Sequence, residues 1–331
     1  MVDNKFVIPA IAAAALVVGG VAAKRLVAQW AKNPDPLDGE PLRFPAGQVR
    51  SVEMPDGALI NTVLTGSGPT VVCVHGLTSN HLDWAPIVES LINARYSVLA
   101  IDQRGHGEST AGSAGFGSGQ LADDLAVVFE TLDIHAVALM GHSMGGMAAM
   151  SFAVTHPTMF TKRVQSLILV ATAASLRTVR HSVAMRVGGL GIPEVVRPKD
   201  ERLRVSVGLG AFGARPSLHM IDQSIAQFRT CPDDVRAAAT AALRHHHVID
   251  QLDTVEVPAL VIGGTRDQLI RPNQVEDLAA RIAGSRLQMY TGAGHMVIWE
   301  RHAEMATLIA RWLDDPVAAA RLPVDDQTRA T

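Results

Sequence analysis

The 331 residues carry a formal net charge of −3 with basic and acidic side chains interspersed, and 48% of them are hydrophobic. No basic stripe suits nucleic acid, and the only cysteines, Cys73 and Cys231, are too few for a disulfide framework. No Cys/His set has metal-ligand spacing, and the length suits one large α/β domain with an insertion.

The chain opens with a stretch from Phe6 to Ala23 that holds no charge, between Lys5 and Lys24-Arg25. As a helix it would reach about 27 Å, just short of a ~30 Å hydrocarbon core. Residues 1–30 are therefore expected to be a membrane anchor. The bias of Lys24, Arg25 and Lys32 over Lys5 places the catalytic domain on the cytoplasmic side. Two other readings compete. Val21-Ala22-Ala23 resembles a signal-peptide cleavage site, which would give an exported protein, and an Ala-rich helix could simply pack on the domain. Residues 31–47 follow as a linker, because Asn33-Pro34-Asp35-Pro36 and Pro41 to Pro45 cannot continue a helix.

Strand-like and helix-like segments then alternate, as in a mainly parallel sheet covered by helices. Val49 to Glu53 and Leu59 to Thr65, joined by Pro55-Asp56-Gly57, read as an opening antiparallel pair. Val71 to Val74, Ser97 to Ile101, Ala136 to Met140, Ser166 to Ala171, Leu260 to Gly263 and Leu287 to Tyr290 read as six further strands. Helices fit at Trp84 to Ala94, Gln120 to Leu132, Met144 to Thr155, Asn273 to Ala283 and Met296 to Leu313. The rhythm breaks over residues 172–257, too long for an ordinary connection. With helical pieces at Ser182 to Val187 and Asp233 to Leu243, that segment reads as a helical cap. The core is then 48–171 and 258–315, with a polar tail at 316–331.

Gly141-His142-Ser143-Met144-Gly145 lies between an apolar run and a small-residue, helix-prone run. That is the setting of a nucleophile elbow, where a serine is lifted onto a sharp strand-to-helix turn and flanking glycines let strand and helix approach. Acyl transfer at a serine further needs a base, an orienting acid and donors for an oxyanion. His295, in Gly292-Ala293-Gly294-His295, follows the last strand, and Asp267, in Gly263-Gly264-Thr265-Arg266-Asp267, follows the strand before it. Alone, each has an ordinary explanation, a satisfied loop histidine or a helix-capping aspartate. Together, at matching strand ends and in the order Ser, Asp, His, they indicate one site. His75-Gly76-Leu77 ends the first parallel strand, so the Leu77 and Met144 amides are candidates for the oxyanion hole.

These features resemble the α/β-hydrolase superfamily, in its lipase, esterase and haloperoxidase-like branch, from about Val49 to Leu313. The matching motifs are His75-Gly76, Asp102-Gln103-Arg104-Gly105-His106-Gly107-Glu108-Ser109, Gly141 to Gly145 with Gly146, Asp267 and His295. The resemblance implies an α/β-hydrolase fold, an eight-stranded mainly parallel sheet flanked by helices with an inserted helical cap. It also implies a Ser143–His295–Asp267 mechanism through an acyl-enzyme, with no cofactor or metal. The Asp102 to Ser109 loop is usually structural in such proteins, which sets His106 aside as the base. Some members carry the acid after the preceding strand, but here that position reads Thr172-Ala173-Ala174-Ser175 and has no carboxylate. Ser143 argues against relatives with an aspartate nucleophile. The loop after His75-Gly76 lacks the Gly-rich extension of carbon–carbon bond hydrolases.

The expected substrate is a carboxylic ester with a moderately apolar acyl group, lipid-like (a monoacylglycerol, for instance) if the anchor holds. A thioesterase, a lactonase or a non-haem haloperoxidase or perhydrolase would use the same triad, and a non-catalytic binding protein is the rival from another class. Three further features read as structural. Gly208-Leu209-Gly210-Ala211-Phe212-Gly213 has dinucleotide-loop spacing but lies inside the cap, where a flexible bend is expected. His245-His246-His247 cannot all face one ion and reads as a solvated helix end. Met185, Val187, Leu190 and Ile192 could line an acyl pocket or simply pack on the core.

Overall fold

The computed structural model describes residues 20–176 and 200–316. Eight strands form one sheet: β1 Gln48–Glu53, β2 Leu59–Gly66, β3 Thr70–Val74, β4 Ser97–Ile101, β5 Val137–His142, β6 Val164–Val170, β7 Ala259–Gly264 and β8 Arg286–Tyr290. Their order is β1-β2-β4-β3-β5-β6-β7-β8. The first two pairings, β1 with β2 and β2 with β4, are antiparallel, and every later one is parallel. The expected strands stand within two residues of these bounds, because each is a short apolar run closed by turn residues.

Alternation along the strands divides the interior into two cores. Val72, Val74, Leu139, Leu167 and Leu169 face one side, and Val71, Cys73, Met140, Ile168 and Val170 face the other. The first side is covered by α3 (Ser118–Thr131), α4 (Met144–Thr155) and α9 (Pro272–Arg281), through residues such as Phe129, Met147 and Leu278. The second is covered by α2 (Ala85–Asn93) and α11 (His302–Asp314), through Leu91, Ile309 and Trp312. Both cysteines are buried free thiols.

Three departures from expectation have physical causes. A helix absent from the sequence reading, α5 Pro157–Arg163, starts on a proline at its first position, where the missing N–H costs nothing. The last long helix is broken: α10 Val297–Glu300 stops and α11 restarts after Arg301, whose φ and ψ of −131° and 29° are not helical. Between β6 and β7 lie α6 Glu201–Ala211, α7 Leu218–Thr230 and α8 Asp233–Leu243, of which only the last was expected. Asp200 and Ser217 cap α6 and α7 with their side chains. The expected helix at Ser182 to Val187 and the candidate pocket residues Met185, Val187, Leu190 and Ile192 lie outside the described residues.

The membrane expectation is corrected. Among the described residues, no helix is long and apolar enough to cross a membrane. The end of the uncharged stretch belongs instead to α1 Gly20–Trp30, whose Ala23, Val27 and Trp30 are buried in the second core with Val205 of α6 and Ile221 of α7. Their spacing places them on one helical face. Cleavage after Ala23 would cut α1 itself. For this part of the chain the third reading holds, a helix packed on the domain, and the membrane localisation is dropped. The remainder, Phe6 to Gly19, lies outside the described residues. The segment after α1 is also tied down: the Asn33 side chain donates to the Pro216 carbonyl at 2.8 Å and Ser217 Oγ to Asp35 at 2.8 Å.

Candidate active site

Ser143 stands between the end of β5 and the start of α4 with φ 51° and ψ −114°, a left-handed conformation that costs a non-glycine residue about 1–3 kcal/mol. The neighbouring backbone over-determines it. Ser143 donates its N–H to the Val170 carbonyl at 2.9 Å, and its own carbonyl accepts from Met147 N–H at 3.1 Å and Thr172 Oγ at 2.7 Å. The flanking glycines are needed for close approach. A Cβ on Gly141 would sit 2.5 Å from the Gly145 carbonyl, and one on Gly145 would sit 2.7 Å from the His75 carbonyl oxygen. Strand, turn and helix are therefore pressed together at a spacing that only hydrogen side chains permit.

His295 and Asp267 meet. Both are buried, and His295 Nδ1 donates to Asp267 Oδ2 at 2.8 Å. Asp267 Oδ1 is held by the Leu269 and Ile270 amides at 2.8 and 2.9 Å, so the carboxylate is oriented before the imidazole binds it. With Nδ1 committed as donor, Nε2 carries the basic lone pair. The two residues follow β7 and β8, and Ser143 follows β5, so all three occupy the carboxyl edge of the sheet.

The loop after β3 runs beside the serine. A Cβ on Gly76 would lie 3.3 Å from Ser143 Cβ and 3.2 Å from His142 Nδ1. Leu77 is next in that loop, half-buried, and Met144 is the first residue of α4, buried. Their main chains thus flank Ser143 from the two sides named in the sequence.

One layer behind lies a second acid–imidazole pair. His142 Nδ1 donates to Asp83 Oδ2 at 2.8 Å and Nε2 donates to the His295 carbonyl at 3.2 Å. Both partners are acceptors, so the ring uses two N–H groups and is an imidazolium against a carboxylate. Burial opposes charge on both residues, but each is overruled by its partner. Asp83 is held below the usual carboxylate range and His142 above the usual imidazole range. The His142 and His295 rings lie 5.0 Å apart. The sequence reading missed this pair, although a histidine beside the candidate nucleophile and an Asp-Trp dipeptide opening a helix were available as signals.

Eight strands in this order, the elbow and the His–Asp pair decide the family, together with one relative over most of its length. A protein of Bacillus subtilis provisionally named 2-succinyl-6-hydroxy-2,4-cyclohexadiene-1-carboxylate synthase is 36% identical over 268 residues, 73% of this chain and 89% of that protein. The chain belongs to the α/β-hydrolase superfamily. The sequence profile of the alpha/beta hydrolase fold matches residues 69–196. Among solved structures, an esterase from Exiguobacterium antarcticum superimposes with a TM-score of 0.72 at 23% identity, covering 81% of this chain and all 100% of that one. The enol-lactonase from Burkholderia xenovorans gives 0.66 at 26% identity, covering 81% and 100%.

In this α/β-hydrolase the other motifs hold structure. Arg104 is buried and bonds Asp124 through Nε and Nη2 at 2.6 Å each and Asp56 through Nη1 at 2.9 Å, which secures the Asp102 to Ser109 loop. His106 is buried behind it, donating Nδ1 to the Arg104 carbonyl at 2.9 Å, and burial pushes its ring down to about 4. His75 accepts the Gln103 N–H at 2.9 Å. The three-histidine run is solvated only in part: His245 is exposed just past α8, but His246 is buried against Ser118, and His247 bonds Ser175 and Asp250. Among the described residues, no group of His, Cys, Asp and Glu could hold a metal ion. Of the bend expected over Gly208 to Gly213, Gly208 to Ala211 are packed helix, a Cβ on Gly208 meeting the Trp30 ring at 2.5 Å, and Phe212-Gly213 lies between α6 and α7.

Proposed function

We propose that the protein is a serine hydrolase that cleaves carboxylic esters. Ser143 Oγ attacks the ester carbonyl while His295 Nε2 takes its proton, and Asp267 holds the imidazole in the required tautomer and stabilises the imidazolium. The oxyanion is received by the Leu77 and Met144 amides, the second with the positive end of α4 behind it. The imidazolium protonates the departing alcohol. A water, deprotonated by the same nitrogen, then hydrolyses the acyl-enzyme. No metal or cofactor enters this scheme. The observation that carries the reading is the buried His295–Asp267 pair on the same sheet edge as a strained Ser143. A serine held with φ at 51° is a stored cost that a mere binding scaffold has no use for.

The likeness to an enol-lactonase favours one second reading, a lactone substrate, whose ring ester would open by the same steps and leave the alkoxide tethered. The preference for a lipid ester rested on the membrane anchor and on the apolar cap; the first ground falls, and the cap residues named for it lie outside the described residues. Fluorophosphonate labelling of the wild type and of Ser143→Ala tests the class. Labelling and p-nitrophenyl butyrate turnover should both vanish in the variant while its fold is kept. Undiminished turnover in Ser143→Ala would sink the nucleophile assignment. A series of acetate, butyrate, longer acyl esters and simple lactones then separates the substrates.

A further inference from the structure

Glu300 closes α10, and its side chain turns back toward the site. Oε1 accepts the Gly294 N–H at 2.8 Å, and Oε2 accepts the Gly213 N–H at 2.9 Å. Gly294 immediately precedes His295, and Gly213 ends the segment that leaves α6. One carboxylate therefore joins the loop of the proposed base to the helices inserted between β6 and β7.

The two main chains touch directly. Ala214 N–H donates to the Gly292 carbonyl at 2.8 Å, and Met296 N–H donates to the Ala211 carbonyl at 3.0 Å. A Cβ on Gly294 would fall 2.5 Å from Gly213 N, and one on Gly213 would fall 2.7 Å from Gly294 N. No side chain can enter between them, so the carboxylate alone spans the two amides from one edge. Only a carboxylate offers two acceptor oxygens in that span. Glutamine of the same shape offers one acceptor and one donor, and it must leave an amide facing an N–H₂.

We propose that Glu300 is a positioning residue that holds His295 in register with the nucleophile and seats the inserted helices against it, and that its protonation slackens both together. The inference rests on the serine-hydrolase reading. A protonated carboxyl still reaches both amides but loses the charge-assisted strength of the two bonds. The groups that act on Glu300 oppose one another. Burial raises its carboxyl most, the Gly294 and Gly213 amides pull it down, and with the two charged neighbours counted the balance stands at about 7. Of those neighbours, Asp267, from the loop after β7, raises it, and Arg301, next in the chain, lowers it. Arg301 is itself held over the Tyr290 ring at 5.8 Å and bonded to Glu304 at 3.0 Å. The carboxylate thus changes charge in the range where a histidine base ordinarily works.

The test uses the full chain and p-nitrophenyl butyrate. In the wild type, kcat/KM on the acid side should fall with two protons, approaching about a hundredfold per pH unit rather than about tenfold. Glu300→Gln should restore the one-proton slope and lower kcat by about 10–100-fold at alkaline pH, with KM changed by less than about twofold. A role confined to folding would reduce the yield of active protein and leave the slope alone. If Glu300→Gln does not fold, the Gly213 and Gly294 amide resonances of the wild type should shift with one common midpoint. A one-proton limb in the wild type, or two amides without a shared midpoint, would overturn the inference. Ser143→Ala separates the two failures. If it is inactive while the slope stays at one, only this inference falls; if it stays active, the hydrolase reading falls.

Discussion

His142 Nε2 donates to the main-chain carbonyl of His295 at 3.2 Å, so the residue before the proposed nucleophile holds the proposed base. The grip depends on Asp83, which faces the other ring nitrogen. Replacing His142 by phenylalanine would keep the ring's volume and leave a buried carboxylate without its counter-charge. The expected loss is about 3–5 kcal/mol in urea unfolding, with Asp83→Asn restoring part of it in the double variant. Unchanged stability in His142→Phe would show that the pair carries no charge.

Asp267→Asn should fold and label weakly. An amide cannot stabilise the imidazolium, and it can select the wrong tautomer of His295. A comparable change in a serine protease costs about 10⁴ in kcat. Turnover within tenfold of the wild type would point to another acid.

Removing residues 1–32 should destabilise the protein. It deletes Trp30, whose ring fills the space left by Gly208, together with the buried Ala23 and Val27. Trp30→Ala alone is expected to cost about 3–5 kcal/mol. Gly208→Ala should lower Tm as well, because its Cβ would meet that ring at 2.5 Å. A truncation as stable as the full chain would refute this.

Buried histidines, His106 and His246 among them, contribute to the loss of stability in acid. Burial lowers His106 and His246 from 6.5 to about 4 in the folded protein. Between those values the unfolded chain binds the protons and the folded one does not. Stability is therefore full above about 6.5 and is lost as pH falls toward about 4. Glu300 has the opposite sense: raised from 4.5 to about 7, it makes the fold less stable as pH climbs through that interval. Thermal melts from pH 4 to 8 should show a shallower acid-side loss in His246→Gln. In Glu300→Gln the difference from the wild type should grow more favourable toward pH 8.

The strands and the elbow were legible because they obey local rules. Val71 to Val74 is apolar between turns, and Gly141 and Gly145 bracket Ser143 at the spacing the close approach demands. Asp267 and His295 could be paired only by strand order, and in the structure they stand 2.8 Å apart. What escaped depends on partners far away in sequence. The face of α1 formed by Ala23, Val27 and Trp30 could have been read from its spacing, but an uncharged run before a basic pair suggested lipid instead. The break at Arg301 could not be read, because Val297 to Leu313 has no proline or glycine to mark it. Neither could the burial of His246, which is settled by Ser118 in α3.

Thr172 leaves no room for an acid beside the elbow. It is fully buried at the end of β6, its Oγ gives a hydrogen bond to the Ser143 carbonyl at 2.7 Å, and its methyl lies 2.6 Å from where a Cβ on Gly146 would be. An acid at this strand end would need room, and here the room and the hydroxyl are already used. A carboxylate at 172 would set oxygen against the elbow's own oxygen and would remove the bond that keeps the turn strained. Moving the proposed acid, as Asp267→Asn with Thr172→Asp, should therefore fail to restore turnover. The elbow thus leaves no place for a carboxylate at the end of β6.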